Sequence, residues 1–156
     1  MTPAVDQLVA AGVAHRVLSY EHDPGHPSFA MEAAEALQLD PEQIFKTLIA
    51  DVAGVGLVVG VVPASTMLDL KALARSAGGK RAEMADPAVA QRSSGYVVGG
   101  ISPFGQRRPL PTFVDETCEL WDEMLVSAGR RGLEIAVAPH DLCAVLSARP
   151  TPIAAW

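Results

Sequence analysis

The sequence predicts a mixed α/β domain built around a distorted, mostly antiparallel sheet or barrel flanked by helices, and three observations carry that expectation. Two β-branched runs, Lys46–Val52 and Leu57–Val62, are separated by Ala53-Gly54-Val55-Gly56, the spacing of a β-hairpin. Several other strand-like runs are short and interspersed with helical ones. Strands and helices do not alternate as regular βαβ units, which argues against a doubly wound parallel sheet.

Taken in order, the first element is a helix. Thr2 is placed to cap it, Pro3 takes its first turn, Val5, Leu8 and Val9 form an apolar face, and Gly12 stops it. His15–Tyr20 alternates as a short strand. Glu21–Pro27 holds two prolines and a glycine and reads as a loop. Ser28 then caps a helix carrying Met31, Ala34 and Leu37 on one face. Asp40-Pro41-Glu42-Gln43 looks like a second cap with a reciprocal Gln43 contact, opening about one turn.

After the hairpin, Asp69–Ala77 reads as a helix ended by Gly78-Gly79, and Asp86-Pro87 starts another that ends at Gly95. Pro111–Val114, Met124–Ser127 and Glu134–Val137 read as further strands. Asp141–Ser147 is the last helix, following Pro139.

At 156 residues, a single domain over 1–156 is expected, large enough to bury one core. Apolar residues make up 49% and charged residues 19%, a globular rather than a disordered composition. No apolar run approaches the ~18 residues of a membrane span, and Met1–Asp6 carries no basic leader, so a soluble, cytoplasmic protein with no membrane partner is expected. Cys118 and Cys143 are too few for a disulfide framework or a metal cluster and read as reduced thiols. A net charge of −6 argues against tight autonomous binding of nucleic acid. Basic residues nevertheless cluster at Lys80-Arg81, Arg107-Arg108 and Arg130-Arg131, either as solvated charge or as a local contact face.

Gly99-Gly100-Ile101-Ser102-Pro103 is the most informative stretch. Glycine lets a ligand approach the main chain and proline fixes the loop, so the N–H groups of Gly100, Ile101 and Ser102 could converge on one anionic or carbonyl oxygen. The same composition also suits a plain turn. Lys46 opens an otherwise apolar strand. It reads either as a lysine whose stem is covered while its head reaches water, or as an ammonium aimed at a carboxylate, phosphate or polarised carbonyl.

Other chemistries fit poorly. His22, Asp23 and His26 share a loop with two prolines, which imposes no ligand geometry, and loop hydrogen bonds are the plainer expectation. Serines 93, 94, 102 and 127 lack a Gly-x-Ser-x-Gly elbow, Cys118 with His140 has nothing in its spacing to recommend it, and Gly78-Gly79-Lys80 is not a phosphate loop. The chain therefore offers backbone donors, one lysine and hydroxyls, but no strong base. Such a site suits a substrate that is already activated or supplies its own nucleophile.

Several segments, in order, resemble the YbaK-type Cys-tRNA(Pro) deacylases, relatives of the editing domain inserted in bacterial prolyl-tRNA synthetases. They are Met1–Val5, Tyr20–Pro24, Lys46-Thr47-Leu48, Leu68–Lys71, Glu83–Ser93, Gly95-Tyr96, Val98–Pro103, Leu110-Pro111-Thr112 and Arg131-Gly132-Leu133. The resemblance implies a cytosolic trans-editing hydrolase that removes cysteine from proline tRNA, with no metal or cofactor. It implies Lys46 as the key residue of the site, with backbone N–H groups of Gly100 and Ile101 holding the oxyanion. Tyr20, Thr47, Gly99, Ser102, Pro103, Ser127 and Gly129 are implied as its substrate-binding surroundings. Ala128 stands where the family carries glycine, which predicts an altered pocket wall there. Weak binding of aminoacyl-tRNA alone, with prolyl-tRNA synthetase as the presenting partner, is the accompanying expectation. Within the same class, an editing hydrolase for alanine or another small residue is the alternative; outside it, a non-catalytic module binding an aminoacyl or nucleotide ligand.

Overall fold

A computed structural model describes residues 1–156. The helices are α1 (Pro3–Ala10), α2 (Phe29–Leu37), α3 (Leu70–Ala77), α4 (Pro87–Ser94) and α5 (Pro139–Leu146). The strands are β1 (His15–Ser19), β2 (Phe45–Val52), β3 (Gly56–Pro63), β4 (Met67–Leu68), β5 (Ala82–Met84), β6 (Thr112–Asp115), β7 (Met124–Arg130), β8 (Leu133–Val137), β9 (Arg149–Thr151) and β10 (Ala154–Ala155), with a 3₁₀ turn at Glu116–Leu120. No helix is long and apolar enough to cross a membrane.

The strands form open sheets rather than a closed barrel. One is three-stranded and antiparallel, in the order β1-β8-β7. The second has five strands in the order β5-β2-β3-β6-β9. Its β5, β2 and β3 run antiparallel, while β6 and β9 join in parallel. The hairpin has the expected register, closing with Val52 opposite Gly56. β10 pairs only with β4, and a single parallel bridge between Ile44 and Leu125 ties β2's entrance to β7.

The central strands β2, β3, β7 and β8 are covered on both faces, which explains their largely apolar runs, whereas β1, β5 and β9 are mostly exposed. The main core lies between them: Phe45 and Ile49 of β2, Val59 and Val61 of β3, and Val126, Ile135 and Val137 of β7 and β8, closed by Leu8 of α1 and Leu142 of α5. Alternation sends Val58 and Val62 to the opposite face, where Leu73 of α3 and Ile153 cover them. Ala136 and Leu125 likewise turn toward Ala33 and Ala34 of α2.

These helices of eight or nine residues are too short to persist alone, so packing and caps define them. Thr2, Ser28, Asp69 and Asp86 accept from the N–H of Val5, Met31, Ala72 and Ala88, caps of about 1 kcal/mol each. Some local expectations differ. Val9 is 65% exposed, because the buried face of α1 is Ala4, Val5 and Leu8. Gln43 makes no reciprocal cap; its Nε2 donates to the Glu123 carbonyl at 2.8 Å and fastens the Asp40 turn to the start of β7.

Candidate functional site

A cavity of about 520 Å³ opens where α2, the start of β2, the β7–β8 turn and the Val98–Ile101 loop meet. Its walls are mostly apolar, contributed by Phe29, Ile49, Met84, Ala90 and Ile101 among others. Of the expected site residues, Tyr20, Lys46, Thr47, Gly99, Ile101 and Ser127 line it together.

Lys46 is the second residue of β2, placed where the strand leaves the Ile44–Leu125 bridge. It is half-buried, and its Nζ makes one long bond, 3.5 Å to the Ala64 carbonyl. Burial holds its ammonium below the ordinary lysine range, and no carboxylate restores it. Beside it, the buried Thr47 hydroxyl has no hydrogen-bond partner in the protein. A cavity with a desolvated cation in its wall is equipped to receive an anionic or carbonyl-bearing ligand. Tyr20 enters from the end of β1, with its phenol pushed above the ordinary tyrosine range by burial and then by the charge of Glu134.

Four expected residues stand behind the cavity rather than in its wall, each for a local reason. The Gly100 N–H donates to the Val97 carbonyl at 2.9 Å, so in this structure it is spent on the turn, whereas the Ile101 N–H has no acceptor in the protein. Ser102 is fully buried, its hydroxyl accepting from the Phe104 N–H at 3.2 Å. Pro103 faces the other way, beside Gln7 and Leu110, because the buried Phe104 draws the chain into the core. Gly129 forms the bulge between Ser127 and Arg130. Its φ is +112°, and a Cβ there would meet the Tyr96 ring at 2.7 Å. The Ser127 hydroxyl accepts the Gly129 N–H at 3.1 Å and so stabilises the same bulge. Ala128 does not alter the pocket wall as expected: its methyl group is fully buried in the main core.

Three wall residues carry roles the sequence did not announce. Arg131, read with its cluster as solvated charge or a local contact face, stacks over the Phe29 ring at 4.0 Å from its centroid and donates to the Val98 carbonyl at 2.7 Å. Gly99 lies directly beneath this stack. At φ +93°, a Cβ there would fall 2.5 Å from the Phe29 ring. The third is Glu134, buried on β8 and the one acidic residue in the cavity wall. Its only sequence signal is a charge set inside the apolar run Leu133–Val137.

The remaining candidates are occupied elsewhere. His22 Nδ1 meets Glu32 at 2.8 Å and His26 Nε2 meets Glu35 at 2.9 Å, loop-to-helix bonds that dock residues 21–27 on α2. Cys118 packs against Cys143, and the exposed His140 is no partner to it.

Residues 27–144 match the model of a family described as the aminoacyl-tRNA editing domain. The chain is 39% identical over 111 residues to EbsC of Enterococcus faecalis, provisionally assigned as a Cys-tRNA(Pro)/Cys-tRNA(Cys) deacylase; the match covers 71% of this chain and 68% of that protein. It is 35% identical over 88 residues to the multifunctional Ser/Thr-tRNA deacylase ProXp-y of Escherichia coli, covering 54% of this chain and 53% of that one. A solved structure, provisionally assigned as a trans-editing enzyme for prolyl tRNA synthetase, superposes with a TM-score of 0.84 at 25% identity, over 100% of this chain and 99% of that one.

Proposed function

The chain belongs to the aminoacyl-tRNA editing domain family, and on that premise we propose that it is a single-domain deacylase that clears cysteine from mischarged Cys-tRNA(Pro). The observation that carries the reading is Lys46, an ammonium without a carboxylate partner and partly desolvated, in the wall of a mostly apolar cavity of about 520 Å³.

An aminoacyl ester is already activated, so a strong base is unnecessary. Size alone separates cysteine from proline or alanine poorly, since one methylene in an apolar pocket discriminates by only about 1–3 kcal/mol. The substrate thiol resolves the problem chemically. Its sulfur attacks the ester carbonyl of the same residue, a carbon–sulfur bond forms, and the bond to the ribose oxygen breaks as that oxygen takes the thiol proton. Water then opens the thioester. Proximity drives the first step, and residues without a side-chain nucleophile cannot follow it. Lys46 steadies the negative charge that develops on sulfur and on the carbonyl oxygen, and the Ile101 N–H is the backbone donor for that oxygen.

A second reading has specific support in the likeness to ProXp-y: the side-chain hydroxyl of serine or threonine is then the group recognised. Prolyl-tRNA synthetase as the presenting partner is supported by the net charge of −6, which disfavours tight unaided binding of tRNA. The deciding experiment compares deacylation of Cys-, Ser-, Thr- and Ala-tRNA(Pro) by the native protein and by Lys46→Ala. Lysine-dependent loss of cysteine supports the thiol route. Preferential loss of serine or threonine selects the second reading. Loss of alanine removes side-chain assistance altogether, and turnover of none leaves a binding module.

A further inference from the structure

Glu134 is a buried acid that the fold does not use. Two acidic side chains are buried around α2, and they contrast sharply. Glu32 accepts from His22 Nδ1 at 2.8 Å and from the Asp23 N–H at 2.7 Å, so its carboxylate is committed to docking the 21–27 loop. Glu134 is 6% exposed, makes no hydrogen bond or ion pair within the protein, and lines the cavity. Its position is fixed by strand pairing: it stands opposite Leu18 on β1 and opposite Ser127 on β7, on the face it shares with Tyr20. A carboxyl group in an apolar wall with no partner is costly, and nothing in the packing requires it.

The other charges in the wall are Lys46, Arg130 and Arg131, all cations. An aminoacyl-tRNA end carries phosphates, an ester carbonyl and, at the α-amino group, one cation. Cations in the wall suit the first two, and the lone acid suits the third.

We propose that Glu134 is the anchor for the α-ammonium of the aminoacyl group, so that the site accepts esters with a free α-amine and rejects N-acylated ones such as peptidyl-tRNA. This rests on the aminoacyl-ester reading of the same cavity and adds a determinant independent of the side chain. Burial raises the Glu134 carboxyl to about 8 in the empty site, and none of the cations in the wall forms an ion pair with it. An arriving ammonium supplies that ion pair, and binding near neutral pH therefore releases a proton.

The test separates binding from turnover. Stable amide-linked aminoacyl-adenosine analogues of cysteine and serine, each with a free or an N-acetylated amine, are titrated calorimetrically in buffers of different ionisation enthalpy. Native protein should prefer the free amine by about 10- to 100-fold and release close to one proton below pH 8. Glu134→Gln should lose both the preference and the proton, binding free and acetylated analogues equally weakly. Glu134→Asp should recover part of each. Equal affinity of native protein for both amines, or an unchanged preference in Glu134→Gln, overturns the proposal. Glu134-dependent binding without turnover of any aminoacyl-tRNA keeps the anchor while rejecting the deacylase reading.

Discussion

Arg131 holds the Val98 carbonyl and the Phe29 ring at once, so the loop that brings Gly99 and Ile101 to the cavity is fastened to α2 through one guanidinium. A planar fork can donate in its plane while its face rests on an aromatic ring; a lysine ammonium cannot do both. Arg131→Ala and Arg131→Lys should both loosen this loop. Amide exchange at Val98–Ile101 is expected to quicken in either variant and kcat/KM to fall about tenfold, with global stability lowered by no more than about 1 kcal/mol. Unchanged exchange in that loop would show that the stack does not restrain it.

Gly99 makes the complementary prediction from beneath the stack. Gly99→Ala places a methyl group into the Phe29 ring and Arg131 Nε at a backbone angle that L residues rarely adopt. Deacylation should fall further than in Arg131→Ala, and the double variant Gly99→Ala/Phe29→Ala should regain part of the loss by making room. A double variant no better than the single one would locate the cost in the backbone angle alone.

These relationships show where the sequence was legible. The β2–β3 hairpin and the ends of α3 and α4 were readable because β-branched runs and capping residues act locally. β9 was not: Arg149–Thr151 contains Pro150 and joins the sheet in parallel, held by contacts far away in sequence. The site shows the same division. Lys46 stood out by residue type and Thr47 and Ser127 through the family resemblance, but the Gly100 N–H is taken by the Val97 carbonyl and Pro103 follows the buried Phe104 away from the cavity. Glu134 was passed over because a single charge in a strand ordinarily faces water. Here α2 covers that face of β8.

Asp115 explains how the two-residue strand β10 persists. One of its carboxylate oxygens accepts from the N–H groups of Ile153 and Ala154, and the other from the N–H and hydroxyl of Thr117. Asp115→Ala leaves the buried Ile153 N–H and the half-buried Ala154 and Thr117 donors without this acceptor and should lower unfolding free energy by about 3 kcal/mol in urea titration. Asp115→Asn, which keeps one acceptor, should lose less. Equal, small losses in both would mean that water replaces the carboxylate.

Lys46 predicts opposite effects on stability and activity. Its ammonium is disfavoured by burial, so the folded state gives up the proton more readily than the unfolded chain does. Stability contributed by Lys46 should therefore improve as pH rises toward the ordinary lysine range. Lys46→Met, which keeps the stem and removes the charge, should melt no lower than native protein while deacylation falls about 10²–10³-fold. The alkaline limb of native kcat/KM should begin below the usual lysine value of ~10.4. A limb at or above that value, with Lys46→Met active, would remove the ammonium from the reaction.

Glu134 carries the reverse sign in its linkage to pH. Its carboxyl rises to about 8 in the folded protein, against ~4.3 for an unfolded glutamate, so between those values the folded state binds more protons than the unfolded one. Stability is then greatest below ~4.3 as far as this group is concerned. It is lost progressively as pH rises toward about 8, by at most about 1.4 kcal/mol per pH unit, and it levels off above. Glu134→Gln removes the group from the balance, so the difference in unfolding free energy between variant and native protein should grow in the variant's favour across that window. Urea titrations of both proteins at pH 5, 6.5, 8 and 9.5 measure it directly. A difference that stays constant from pH 5 to 8 would mean the carboxyl is solvated in the empty cavity, and the absence of a protein partner would then be no strain on the fold.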